Sequence, residues 1–400
     1  MRILKIVPQA FYTARGTPLS AYHRARELIA RGQEVDILTY AVGGDPPACA
    51  ARVFRSRGPH FKRAIRAGPS RLKIWFDVLL FFNLLAHLTR QRYDVLYAHE
   101  EGALLARVAG AMFRIPYIYD MHSSLPLQIT DWKFSRNTSV IAVFRWVERL
   151  SVRGACAVVA ISPAVAAAAR AAGPDTPCVL LANHFEMGQA VPHEDVAAVR
   201  TRYGIPLERK LVVYAGSFVA LQALDMLLEA VPAVLAAVPN TTFLLVGGSD
   251  PEIAQLGTQA RVLGITEHVV MERSLPQSAI PAYLEAADAL VSPRVQGINS
   301  PGKLLNYLAS GRPVVATDTL VHNQLLTGKS AILTPPSATG LAAGLVTALT
   351  DAARVAEITA GAKKLLVRYS SKAERDAAYE TVLDAARVAA LAMSGKLQVR

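Results

Sequence analysis

Ser292-Pro293-Arg294-Val295-Gln296-Gly297-Ile298-Asn299-Ser300-Pro301-Gly302-Lys303-Leu304-Leu305-Asn306-Tyr307-Leu308-Ala309-Ser310-Gly311-Arg312-Pro313-Val314-Val315-Ala316-Thr317 reads as strand, loop, helix and strand in succession. The β-rich run Ala289 to Ser292 ends in a polar loop of Gly, Asn and Ser. Pro301 suits the first turn of a helix over Gly302 to Ser310. Val314 to Thr317 is the next strand. A helix that starts just after a strand presents free N–H groups and the positive end of its dipole, which suits an anion such as a diphosphate.

The same rhythm extends on both sides. Toward the N-terminus of this half lie strands at 211–215 and 242–246, helices at 224–238 and 252–263, an extended run at 268–271 and a helix at 280–286. The first half alternates likewise, with strands at 2–7, 34–39, 94–98, 115–119, 157–161 and 179–181. Helices fall at 18–31, about 71–90, 101–113, 145–153 and 163–172. Short strands alternating with helices mean parallel sheets with crossover helices. The fold class is therefore α/β, with two Rossmann-like doubly wound domains. They are expected to face each other across a cleft, ligands lying at the carboxyl ends of the strands. The stretch from about 183 to 209, with Pro192, Gly204 and Pro206, reads as the linker. The expected division is 1–187, 188–370 and a helical tail over 371–400 that packs back on the first domain.

Composition excludes several classes. The chain has 400 residues, 52% of them hydrophobic and only 18% charged, so dominant disorder is excluded. Three separated cysteines (Cys49, Cys156, Cys178) make no disulfide framework or zinc knuckle, and a reducing compartment is expected. Met1 to Pro8 is too short for a signal peptide and reads as a strand. The nearest approach to a spanning segment, Ile74 to Leu88, carries Asp77, Asn83 and His87.

Charge is uneven. Residues 1–190 hold 24 Lys+Arg against 13 Asp+Glu, so nearly all of the net +12 lies in the first half. No acidic residue falls between Asp45 and Asp77, a gap holding Arg52, Arg55, Arg57, Lys62, Arg63, Arg66, Arg71 and Lys73. Phe54, Phe61, Ile65, Leu72, Ile74, Trp75 and Phe76 interleave them. Basic residues beside Trp and Phe suit an anionic lipid surface, so an anionic membrane contact through 52–76 is expected. A merely solvated basic face is the plain alternative, and nucleic acid is not expected as a partner.

Chemistry-bearing residues gather at predicted strand ends. Tyr214-Ala215-Gly216-Ser217 and Val246-Gly247-Gly248-Ser249 each follow a strand, where glycine lets a backbone approach a ligand closely. Asp120, His122 and Ser123 follow the fourth strand. An imidazole there could hydrogen-bond a bound ligand or act as acid or base. Glu100 and Glu101 follow the third strand; one could serve as a general base, or both are helix-start acids that complement the dipole. No Asp/Glu pair suggests a double displacement.

The run 292–317, Leu211 to Gly248, Val159-Ala160-Ile161-Ser162 and Tyr117-Ile118-Tyr119-Asp120-Met121-His122 together resemble the family-4 glycosyltransferases of the GT-B fold. The resemblance spans nearly the whole chain. It implies a C-terminal domain that holds a nucleotide-sugar, an N-terminal domain that holds the acceptor, and retention of anomeric configuration without a metal. On that basis the donor is a UDP- or GDP-sugar and no cofactor is expected. Arg15-Gly16-Thr17-Pro18 matches the family's glycine loop over the phosphates, which makes Gly16 and Thr17 donor-site candidates. Gly216, Ser217, Gly248, Asn299, Ser300, Pro301 and Asn306 join them, with Ser300 offering its N–H and hydroxyl to the diphosphate. His122, Arg294 and Lys303 are the catalytic candidates. The family's paired glutamates are absent: the second falls on Asn306 and the first near Ile298 or Asn299. The family's Arg and Lys-Gly are also absent from Phe218 to Leu224, so Arg294 and Lys303 are the nearest cations for the phosphates.

A nucleotide-diphosphate leaving group needs electrostatic stabilisation more than a protein nucleophile. The resemblance implies front-face attack, with the leaving phosphate helping to deprotonate the acceptor hydroxyl. The expected activity is a retaining transfer to a lipid or lipid-linked acceptor by a bacterial enzyme, cytoplasmic and peripheral on the inner face of the cell membrane. An inactive GT-B partner or scaffold subunit and a nucleotide-sugar epimerase are the alternatives.

Overall fold

The computed structural model describes residues 1–12, 16–46, 50–57, 71–126, 137–182, 193–296, 302–369 and 371–395. They form two compact units, 1–183 with 372–400, and 184–371.

The first unit is built on β1 (Arg2–Val7), β2 (Glu34–Thr39), β3 (Arg52–Arg55), β4 (Val95–His99), β5 (Tyr117–Met121), β6 (Ala157–Ala160) and β7 (Cys178–Leu180). Their order is β3-β2-β1-β4-β5-β6-β7, all parallel. A parallel sheet is covered on both faces, so its strands are apolar throughout rather than alternating. Leu4, Ile6, Leu38 and Leu96 pack under the helices Arg71–Leu88, Gly102–Phe113, Thr138–Gly154 and Pro163–Ala172. Ile3, Val7, Ile37, Val95, Ile118 and Val159 pack under Gly16–Ala30 and Lys372–Met393. The last helix explains why the chain returns to this unit. It lays Tyr379, Val382, Leu383 and Ala386, one helical stripe, over the apolar face around Ile118, Ala157 and Val159. Local signals fix the ends: Pro163 opens its helix behind Ser162, whose hydroxyl accepts from Val165 N at 3.3 Å.

The second unit comprises β8 (Lys210–Ala215), β9 (Thr241–Gly248), β10 (Val269–Arg273), β11 (Ala289–Ser292), β12 (Val314–Thr317) and β13 (Ile332–Thr334). Their order is β10-β9-β8-β11-β12-β13, all parallel. Both units thus have the strand order of dinucleotide-binding folds. The order reverses between β1 and β4 in one and between β8 and β11 in the other, and the carboxyl ends at those points are where ligands bind. Leu224–Ala237 and Ala338–Thr350 pack together in one core with Asp250–Val262 and Ala352–Tyr369.

Several sequence expectations change. The stretch 183–209 is not simply linker: His193–Arg202 is a helix of the second unit. Arg200 anchors it through Asp288 Oδ2 at 2.8 Å and the Arg209 carbonyl at 2.8 Å. The helix expected at 145–153 begins at Thr138, capped by Asn137, whose side chain accepts from Ser139 N at 2.8 Å. Within the basic segment, Arg52–Arg55 is an edge strand, and 58–70 lies outside the described residues. Among the described residues one stretch, Ala220–Ala237, is long and apolar enough to cross a membrane by composition. Its helix buries Leu224, Leu227, Leu228, Val231 and Val234 in the second core and carries Asp225 and Glu229.

Candidate functional site

At the switch point of the second unit, β8 ends in Gly216 and Ser217, and the helix Lys303–Ala309 begins nearby. The Lys303 ammonium lies 3.8 Å from the centre of the Tyr214 ring and donates to Gln222 Oε1 at 3.0 Å. A side chain on Gly216 would start 3.2 Å from that ammonium, so glycine leaves the space in which the lysine lies. Among the described residues no carboxylate pairs with Lys303. Desolvation, reinforced by Arg294, holds its pKa well below the usual lysine range. The platform beneath is rigid. The Tyr307 hydroxyl accepts from Ala215 N at 2.7 Å and donates to Ala215 O at 3.0 Å, which locks the helix to the end of β8.

Gly247, at φ +122°, closes the same corner: a Cβ there would fall 2.2 Å from the Gly216 carbonyl oxygen. Gly248 differs, because its missing side chain is replaced by the Phe218 ring and Ile253. It is a packing glycine in this structure. Arg294 donates from Nε to the Gln296 carbonyl at 2.7 Å, and Thr317 Oγ1 donates to the Arg294 carbonyl at 2.5 Å. Behind that loop sits buried His322. Its Nδ1–H donates to the Thr317 carbonyl at 2.8 Å and its Nε2 accepts from Ser292 Oγ at 2.9 Å. Burial lowers His322 to about 4, so it is a neutral clamp between the ends of β11 and β12. Gln222, Tyr214, Tyr307 and His322 were not singled out by the sequence. The only prior signal for them was proximity to a strand end. Asn306 is half-buried on the helix after Lys303, whereas Asn299, Ser300 and Pro301 lie outside the described residues.

In the first unit, Gly16 and Thr17 open the helix after β1. The ends of β4 and β5 bring His99, Glu100, Glu101, Asp120, His122 and Ser123 together. Asp120 is fully buried and is the centre of a charge network. Lys5 Nζ lies 3.1 Å from its Oδ2, and Arg24 Nε 3.9 Å from its Oδ1. His99 Nδ1 lies 3.2 Å from Oδ2, and His122 Nε2 3.3 Å from Oδ1. Burial would raise this carboxyl, but Lys5, His122 and Arg24 overcome it and hold Asp120 well below the carboxylate range. Burial pushes Lys5 down to about 8 and His99 to about 3, and lowers His122 as well. His99, Asp120 and His122 have ligand atoms within 4.8 Å of one another, the spacing of a metal site. Two cationic side chains already face the carboxylate they would share, which disfavours a divalent ion there. His122 is 2% exposed and turned toward Asp120, its ring centre 4.2 Å from that of His99 with the two planes tilted at 59°.

Beside this network lies a second group. Glu100 has φ +50°, strained for a residue with a side chain, and Ser123 Oγ donates to its carboxyl at 3.0 and 3.2 Å. Burial, with Glu101 adding, pushes Glu100 up to about 8. Asp77, bonded to Tyr40, is raised to about 7 by the same two causes. Lys73 pairs with Glu101.

Residues 15–184 match a family model described as a glycosyl transferase 4-like domain, and residues 209–351 match one described as glycosyl transferases group 1. The chain belongs to the family-4 glycosyltransferases. A phosphatidyl-myo-inositol mannosyltransferase of Mycobacterium leprae is 25% identical to this glycosyltransferase over 91% of both chains. A GDP-mannose-dependent alpha-(1-6)-phosphatidylinositol monomannoside mannosyltransferase of Mycolicibacterium smegmatis is 35% identical, over 37% of this chain and 40% of that protein. A 2-deoxystreptamine glucosyltransferase of Streptomyces kanamyceticus is 28% identical, over 73% and 78%. Among solved structures, Anabaena HepE in complex with UDP-glucose has TM-score 0.75 at 20% identity, over 96% of this chain and all of that one. WaaG, a glycosyltransferase involved in lipopolysaccharide biosynthesis, has TM-score 0.70 at 15% identity, over 95% and 98%. Both share the GT-B fold, the architecture of this glycosyltransferase.

Proposed function

We propose that the enzyme moves a hexosyl group, with retention, from a UDP- or GDP-sugar to a hydroxyl of a lipid or lipid-linked acceptor at the inner face of the cell membrane. The observation that carries the donor half is Lys303. A lysine held in a desolvated corner, over an aromatic ring and without a counter-charge among the described residues, is complementary to a phosphate. Arg294 adds a second cation beside it. Together they take the place of the family's missing Arg and Lys-Gly. Charge on the departing diphosphate is neutralised by these side chains and by the start of the Lys303–Ala309 helix, so no metal is required.

The acceptor half rests on Glu100, Glu101, Asp120, His122 and Ser123. Asp120 fixes the His122 ring, and Glu100 is an acceptor-side carboxyl that burial and Glu101 raise to about 8. Relatives named as phosphatidylinositol mannosyltransferases support a lipid acceptor. Those names and that of the 2-deoxystreptamine enzyme share a ring polyol as acceptor, and carboxyl groups suit ring hydroxyls.

The test is thermal stabilisation by UDP and GDP, followed by acceptor-dependent transfer from the matching nucleotide-sugar to lipid extracts in EDTA. Tight binding raises the melting temperature by mass action. Stabilisation by one diphosphate and EDTA-insensitive transfer support the proposal. No stabilisation by any nucleoside diphosphate overturns it.

A further inference from the structure

The helical layer on one face of the first sheet is apolar on its outer side as well as its inner side. Arg71–Leu88 buries Phe76, Leu80, Leu84 and Leu88 but exposes Ile74, Trp75, Val78 and Phe82. Gly102–Phe113 buries Ala103, Ala106 and Ala109 and exposes Leu104, Val108 and Met112. Thr138–Gly154 buries Glu148, Ser151 and Val152 and exposes Val143 and Trp146. The three helices are neighbours, the middle one touching both others. Trp146 is 60% exposed, Phe82 and Met112 62%, and Trp75 51%. Soluble surfaces rarely carry so many large apolar side chains in one continuous layer, and such patches mark interaction sites.

Charge decides the occupant. These helices hold two acidic residues, Asp77 and Glu148, and both are turned inward: Asp77 bonds Tyr40, and buried Glu148 accepts from Leu125 N at 2.8 Å. Among the described side chains of these helices the exposed charges are Arg145, Arg149 and Arg153. An apolar face with aromatic anchors and only positive charge fits an anionic bilayer surface, where Trp and Phe enter the headgroup boundary and arginine meets lipid phosphate.

We infer that the outer face of helices 71–88, 102–113 and 138–154 is the surface by which this glycosyltransferase rests on an anionic membrane. This rests on the proposed lipid acceptor and gives that reading a place. It moves the contact away from much of the basic segment. Arg52 is spent on Asp36 and Arg55 on the Phe11 carbonyl, while Phe76 is core. Each of these helices follows a strand, so each begins at the carboxyl end of the sheet. Lys73, one residue before exposed Ile74, pairs with Glu101. Membrane contact at the start of this layer therefore brings an embedded headgroup to the end of β4, beside Glu100 and Glu101.

The experiment uses the full chain with vesicles of phosphatidylcholine alone and of phosphatidylcholine with phosphatidylglycerol. Wild type, the variant Trp75→Gln/Phe82→Gln/Trp146→Gln, the variant Arg145→Glu/Arg149→Glu, and Lys62→Glu/Arg63→Glu/Arg66→Glu are compared by flotation. Mass photometry follows self-association, and melting temperature with and without nucleoside diphosphate follows folding and the donor site. The expected result is binding to anionic vesicles only, weakened at least tenfold in each of the first two variants, with nucleotide stabilisation intact. Vesicle binding unchanged in those two variants, or lost only in the Lys62 set, overturns the proposal. So does a wild-type dimer that the glutamine variant dissolves, without vesicle binding. A lost nucleotide response in wild type would instead strike the transferase reading, so the two failures are distinct.

Discussion

His122 and Asp120 form a buried pair, imidazole Nε2 3.3 Å from carboxylate Oδ1, in which one carboxylate also serves His99, Lys5 and Arg24. The carboxylate fixes the rings, while the two cations hold it ionised. Replacing Asp120 with Asn strands Lys5 and Arg24 without their counter-charge. Breaking a buried pair from one side costs about 3–5 kcal/mol, whereas removing both partners costs far less. Asp120→Asn is therefore expected to lower stability by that amount, and Lys5→Met/Asp120→Leu by less, because only Arg24, which also donates to Tyr379 and the Leu181 carbonyl, then loses its counter-charge. Urea unfolding of both variants reads the difference directly.

Glu100 sets a pH dependence. Its folded pKa is raised to about 8, above the usual glutamate value near 4.5, so the folded chain keeps a proton that the unfolded chain releases. The stability contribution of the protonated form is full below about pH 4.5. It is lost as pH rises toward 8, by at most about 1.4 kcal/mol per pH unit. If ionised Glu100 accepts the acceptor proton, kcat/KM rises through the same region. Glu100→Gln should remove the rise in kcat/KM and reduce the stability slope between about pH 7 and 8, while Asp77 goes on contributing below about pH 7, read by melting curves in matched buffers.

Lys303 predicts proton uptake. Its ammonium is disfavoured in the empty site and favoured once a phosphate arrives. Calorimetry of nucleoside diphosphate binding in HEPES and in Tris buffers should differ in apparent enthalpy. The difference should vanish in Lys303→Met.

The returning helix Lys372–Met393 predicts dependence of the first unit on the C-terminus. Tyr379 is 1% exposed, and its hydroxyl accepts from Arg24 at 3.2 Å. Tyr379→Ala should cost about 3–5 kcal/mol, comparable to other large-to-small core changes, while Val388→Ala on the exposed side should cost under about 0.5 kcal/mol.

The sequence was legible where strands are buried on both faces. Ile3-Leu4-Lys5-Ile6-Val7 and Leu211-Val212-Val213-Tyr214 are continuous runs ended by turn residues, and their limits fall within a residue of the structure. It was opaque where charge hid an element. Arg52-Val53-Phe54-Arg55 is an edge strand, where one side needs no partner and arginine is tolerated, so it read as part of a basic patch. The helix 193–202, rich in charge and low in apolar periodicity, read as linker because its hold on the second unit is Arg200 rather than a hydrophobic stripe. At the candidate site, strand-end residues such as His122, Asp120 and Gly216 could be named from position alone. The meeting of Lys303 with Tyr214 and Gln222 could not, because it joins residues 81 and 89 positions apart through the strand order. The same limit hid Lys5 and Arg24, which share Asp120 only once β1 and β5 flank β4.

The central claim is that Lys303 holds the donor's diphosphate at the end of β8. The most direct measurement is the affinity of UDP and GDP for wild type, Lys303→Met and Gly216→Val by isothermal titration. The account predicts a weakening of at least tenfold in both variants, with the melting temperature of Lys303→Met near wild type. Nucleotide affinity unchanged in a folded Lys303→Met would contradict it.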